Sequence, residues 1–240
     1  MENENLTEIN SNEKEKKYLA KKKLTNKDLV KRLVFDATFA AITYVLYAFV
    51  KFPLPIFPSF LDINISMIPV IICAFMLGPW DASLIVIIRC LVKWIFPGTG
   101  TAFVGELADV LIGLSCVIPA GLIYHKSNFK HKTIWALLSV VIAWVLMGIL
   151  SNIIINIPWY SHLYFKTDYY KDGVPNALVG MCKDAFKLIS FGNITDVNQS
   201  NFMAYYIFFA VIPFNLLLSL IVIGVTALVH KRLKILYDMI

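Results

Sequence analysis

Apolar positions along this chain gather into long runs separated by short polar links. A helix that crosses a bilayer needs roughly 20 mostly apolar residues. Six candidate runs lie at about 31–52, 63–78, 80–96, 103–125, 133–157 and 203–229. The second and third are short and are joined only by "LGPWD". Together they are too long for one crossing, and Gly78-Pro79 is a natural break between them. The pattern predicts an all-α membrane protein with six transmembrane helices, filling residues 31–240, and an outer loop at about 158–202. Residues 1–30 are polar, rich in Lys, Glu and Asn, and without sustained apolar periodicity. They predict a disordered cytoplasmic tail. No short apolar region with a cleavage site follows the charges, so the tail does not read as a secretory signal.

Composition agrees. The chain is 58% hydrophobic, with a mean hydropathy of +0.69. That is too apolar for a soluble domain of this length. Charge then sets the orientation. Lys and Arg crowd the tail and the start of the first run (Lys21, Lys22, Lys23, Lys27, Lys31, Arg32), and recur in "HKSNFKHK" (125–132) and "HKRLK" (230–234). Six spans with both termini in the cytoplasm put all three clusters inside, as the positive-inside rule requires. The outer loop carries four Lys and four Asp, with no such excess. The expected location is the cell membrane, multi-pass. The net charge of +6 follows from topology, and nucleic acid is not an expected partner. Cys73, Cys90, Cys116 and Cys182 form no CxxC pair, and read as small apolar residues rather than metal ligands.

The chain has no GxxxxGK[ST] phosphate loop, no HExxH and no GxSxG. A receptor, a transporter part, a channel or an embedded enzyme with an unusual site remains. Intramembrane charges are the informative residues, because each costs roughly 2.5–3.5 kcal/mol near a helix centre on insertion scales. Arg89 and Lys93 share one face of the third run, and Glu106 and Asp109 one face of the fourth. The link "PGTGT" makes these helices antiparallel neighbours, so the two bases and two acids predict a charge clasp bordering a polar pocket. Asn152 and Asn156 share a face of the fifth run, Asn215 follows Pro213 in the sixth, and Asn64 and Ser66 open the second. Together they suggest a pocket for an uncharged, hydrogen-bonding solute. The loop "KFPLPIFPSFLD" (51–62) holds three prolines and three phenylalanines. It reads as a stiff loop whose aromatic rings can stack on a planar ligand, or as an interfacial aromatic belt. Ala37 and Ala41 make a small-xxx-small pair on the first run.

In this order the stretches "FPLPIFPSFLDINIS", "GELADVLIGLSCVIPAGLIYHK", an Asn-bearing fifth span and "IPFNLLLSLIVIGVTALVHKRL" resemble the substrate-binding S components of energy-coupling factor (ECF) vitamin transporters, most like the riboflavin-specific type. The resemblance covers about residues 33–234. It implies a six-helix subunit that binds vitamin from outside and works with a transmembrane coupling protein and two ATPases. It implies that Ala37 and Ala41 dock on the coupling protein. Asn152 and Asn215 would hydrogen-bond the ligand, with Asn64, Ser66 and Glu106 also in the binding site and the first loop as a lid. Riboflavin would be a transported ligand; no cofactor, metal or catalytic residue is expected, and the chain is not expected to be an enzyme. The departures fall near the pocket. Asn64 and Met67 stand where the riboflavin type has acids, Leu218 and Ser219 replace a Lys and a Gly, and Arg89-Cys90 replaces a Lys-Asn pair. The outer-loop "KDAFK" (183–187) offers a replacement base. Two alternatives stay in view: an S component for another vitamin or cofactor precursor, and an embedded enzyme using Glu106 and Asp109 as an acid/base pair.

Overall fold

The computed structural model describes residues 26–96, 103–128, 130–194 and 196–239. The predicted tail up to residue 25 and the "PGTGT" link lie outside these residues. The chain divides into two compact units, one ending at Thr38 and the other beginning at Phe39. In the first, helix α1 (Asn26–Phe49) begins, with Asp28 in its first turn where the helix dipole favours an acid. The Thr38 hydroxyl donates back to the Val34 carbonyl at 2.7 Å.

The second unit is helical around a small hairpin. Strands β1 (Lys51–Pro53) and β2 (Asp62–Asn64) pair antiparallel. The prolines that stiffen the intervening loop also fold it into successive tight turns, closed by Phe57 N–H to the Leu54 carbonyl and Leu61 N–H to the Pro58 carbonyl. Then come α2 (Met67–Met76), α3 (Pro79–Ile95), α4 (Val104–Lys126) and α5 (Lys132–Phe165), the last containing a π-helical stretch at Asn152–Asn156. Two short helices, α6 (Tyr169–Asp172) and α7 (Asn176–Ile189), lead to α8. Helix α8 starts at Phe202–Tyr205, passes through a π stretch at Tyr206–Val211 and continues as Ile212–Met239. Helix α2 packs against α3, α4 and α8. Nearly all its residues are buried, because they are apolar on every face.

Among the described residues, three helices are long and apolar enough to cross a membrane: Val104–Lys126, Lys132–Phe165 and Phe202–Ile235. The second run, expected at 63–78, is helical only over Met67–Met76. Residues 62–64 are strand, and the Asn64 side chain accepts from Ser66 N–H at 2.8 Å, closing a turn before the helix. What is left is a 10-residue helix, about 15 Å long against a hydrocarbon core of about 30 Å. The break at Gly78-Pro79 is present; Gly78 has φ +124°, which favours glycine, and Pro79 starts α3. The fifth and sixth runs extend further than their apolar pattern indicated, to Phe165 and Met239. Pro158 and Pro213 do not end them. Each proline falls two residues after a π stretch, where the wider turn admits a ring that an α-turn would reject.

All four cysteines are free and buried. Cys182 lies on α7, and burial pushes its thiol up to about 12.

Candidate functional site

The second unit encloses a cavity of about 180 Å³. Every helix of that unit that flanks it contributes a polar side chain. The end of α1 gives Tyr47, the hairpin gives Asp62 and Asn64, and the entry to α2 gives Ser66. Arg89 and Lys93 come from α3, Glu106 and Asp109 from α4, Asn152 and Asn156 from α5, and Asn215 from α8.

The charged wall is organised around Tyr47, which the sequence reading did not single out. Lys93 Nζ meets Glu106 Oε1 at 2.8 Å, with the Glu106 side chain only 3% exposed. Asp109 accepts from the Tyr47 hydroxyl at 2.6 Å. Arg89 donates to Ser66 Oγ at 2.5 Å and stands 4.7 Å from the Tyr47 ring centre, while Lys93 Nζ is 4.3 Å from it. The expected two-by-two clasp is thus one direct ion pair plus a tyrosine bridge. The phenol hydroxyl holds the second acid, and its ring takes both cations by cation–π attraction. The spacing of charges along α3 and α4 pointed to the clasp. No local signal separates Tyr47 from Tyr44, because only long-range pairing selects the one that turns inward.

The amide wall comes from Asn152 and Asn156 in the π stretch of α5 and from Asn215 in the α-helical part of α8. Asn152 Nδ2 donates to the Gly148 carbonyl at 2.8 Å, and Asn152 Oδ1 accepts from the Tyr206 hydroxyl at 2.7 Å and from Asn156 Nδ2 at 3.2 Å. Asn215 Nδ2 donates to the Val211 carbonyl at 2.7 Å. Its amide lies flat on Gly148; a Cβ there would come within 2.7 Å of Asn215 Cγ and Nδ2. Gly148 therefore lets α5 and α8 approach closely enough to share the cavity. It is a second position that the sequence reading missed, since a glycine in an apolar helix has no marker of its partner.

Aromatic side chains add to the lining, with Phe60, Tyr160 and Phe214 among them. Phe60 from the first loop meets Tyr160 edge-on with ring centres 6.2 Å apart, and Phe57 packs edge-on against Phe214 at 5.3 Å. Lys51 and Asp62 form a partly exposed pair at 3.7 Å beside them. The sequence-identified residues Asn64, Ser66, Arg89, Lys93, Glu106, Asp109, Asn152 and Asn215 are thus brought to one cavity, with Met67 and Leu218 as its apolar floor. Ala37 and Ala41 are not part of it; both are exposed on α1. Lys183 and Lys187 of "KDAFK" are exposed on α7 and are absent from the lining, so the cavity's cations are Lys51, Arg89 and Lys93.

A bundle with spanning-length apolar helices around a buried, charge-compensated polar cavity defines a membrane-embedded protein that holds a small molecule. Residues 31–230 match the family model for the substrate-specific component of ECF transporters, and the chain belongs to that family. Among curated relatives, the riboflavin transporter RibU of Staphylococcus aureus (strain TCH60) is 24% identical over 203 residues, covering 85% of this chain and 90% of the relative. The riboflavin transporter FmnP of Bacillus subtilis (strain 168) is 29% identical over 138 residues, covering 55% and 72% respectively. A solved structure described as the S component of a bacterial ECF transporter superposes with a TM-score of 0.56 at 25% identity, covering 85% of this chain and 96% of its own. The family is a transporter's binding component and not an enzyme. Glu106 and Asp109 are therefore not an acid/base pair, in keeping with one being ion-paired to Lys93 and the other bonded to Tyr47.

Proposed function

We propose that this protein is the riboflavin-binding S component of an ECF importer. The observation that carries the reading is the cavity itself. It joins neutral amides, a compensated charged wall and aromatic rings, which suit a flat heteroaromatic ring with carbonyl and N–H edges and a hydroxylated tail. Both curated relatives carry riboflavin in their names. Six membrane-spanning segments with both termini in the cytoplasm put the cavity in the outer half of the bilayer. Asn152 and Asn215 hydrogen-bond the ligand, Asn64, Ser66 and Glu106 complete the site, and the loop at 51–62 closes over it. Ala37 and Ala41 dock on a transmembrane coupling protein whose two ATPases supply the energy. Reorientation of the loaded subunit delivers the vitamin, and the cycle works because the two orientations differ in ligand affinity.

Met67 and Leu218 on the cavity floor favour a second reading, in which the same subunit carries another vitamin. Purification in detergent without added ligand, followed by absorption spectra and a riboflavin fluorescence titration, decides between them. A flavin spectrum near one equivalent, or tight quenching, supports riboflavin. A colourless protein that ignores riboflavin moves the substrate to another vitamin.

A further inference from the structure

Tyr206 does not line the cavity. It is fully buried, stacked on Phe202 with ring centres 5.4 Å apart, and its hydroxyl reaches Asn152 Oδ1 at 2.7 Å. Each residue opens a π stretch of its own helix, and π turns recur where a helix is adapted for function. The consequence lies in the hydrogen-bond count on Asn152. Its Nδ2 faces the Gly148 carbonyl, which can only accept, and its Oδ1 receives two donors, Tyr206 and Asn156. A carbonyl oxygen has two lone pairs and an amide nitrogen two hydrogens. The oxygen of Asn152 is therefore saturated, and the second Nδ2 hydrogen is the group left for the cavity. Flipping the amide would set its oxygen against the Gly148 oxygen at hydrogen-bond distance.

We infer that Tyr206 is a positioning residue that makes Asn152 a hydrogen-bond donor toward the cavity, so that the ligand atom opposite Asn152 is an acceptor: a ring carbonyl oxygen or imine nitrogen. This rests on the assignment of the cavity as the substrate site and adds the polarity of one contact. The adjacent Asn215 differs, since its Nδ2 is held by the Val211 carbonyl and, among the described residues, no donor reaches its Oδ1.

The test compares wild type, Tyr206→Phe and Asn152→Asp. Tyr206→Phe keeps the ring packing and removes the lock. Riboflavin affinity is expected to fall about tenfold, the scale of one net hydrogen bond. The carbonyl stretch of bound flavin should move to higher frequency as the donor is lost, which a purely structural role would not cause. Asn152→Asp, which replaces the donor by an acceptor, should bind more weakly than Tyr206→Phe. Unchanged affinity and an unchanged carbonyl stretch in Tyr206→Phe would overturn the inference while leaving the transport reading intact. If wild type itself does not bind riboflavin, a double-mutant cycle on ligand-free thermal stability, Tyr206→Phe against Asn152→Ala, still reads the lock. Additive effects there would overturn it, and measurable coupling supports it.

Discussion

Replacing Glu106 by Gln isolates the energetics of the charged wall. Lys93 and Glu106 meet at 2.8 Å, with side chains 14% and 3% exposed. At an effective dielectric of about 20, unit charges at that distance attract by roughly 6 kcal/mol. Much of that offsets the cost of removing both ions from water, so the pair contributes little beyond an apolar replacement. Removing one partner is different. Gln keeps the shape and an acceptor oxygen but leaves the ammonium of Lys93 buried beside Arg89, and such half-broken pairs cost about 3–5 kcal/mol. For a chain of this size that corresponds to a fall in Tm of about 10 °C. The assay is thermal unfolding in detergent, without ligand, of wild type, Glu106→Gln and the double variant Glu106→Gln/Lys93→Met. The double variant should recover most of the loss, because no uncompensated charge remains. A single variant as stable as wild type, or a double variant no better than the single, would refute a compensated pair as the reason these charges are tolerated.

Other outcomes follow from the same geometry. Gly148→Ala drives a methyl into the Asn215 amide, so ligand affinity should fall by about tenfold to a hundredfold, the equivalent of one or two lost hydrogen bonds; a titration matching wild type would remove Asn215 from the site. Ala37→Trp or Ala41→Trp should leave binding by the purified protein intact and abolish uptake in cells, and surviving uptake would show that the alanine face does not dock. Cys182 has a thiol raised to about 12 by burial, so its thiolate fraction at pH 8 is far below that of a free cysteine and grows only as pH climbs toward that value. Maleimide should label it at pH 8 only after unfolding, and fast labelling of the folded protein would contradict its placement.

The apolar runs determined the helical membrane class, and Gly78-Pro79 marked a real break, because a bilayer leaves few ways to satisfy backbone groups and a proline few ways to continue a helix. The spacing of Arg89 with Lys93 and of Glu106 with Asp109 was enough to anticipate charges facing each other across two helices, since ions this deep need partners. Asn64, Ser66, Asn152 and Asn215 stood out for the same reason, as polar groups in apolar surroundings. The tertiary structure decided the rest. Which tyrosine bridges the clasp, how Gly148 admits the Asn215 amide, and how π stretches carry α5 and α8 past Pro158 and Pro213 all depend on contacts between residues far apart in sequence. Residues 62–64 became strand because they pair with 51–53 across the loop, a partner the run of apolar positions does not reveal. A hydrophobic pattern reports the depth of a residue but not the direction it faces among several buried neighbours, and here that direction decides which polar atom is left for the ligand.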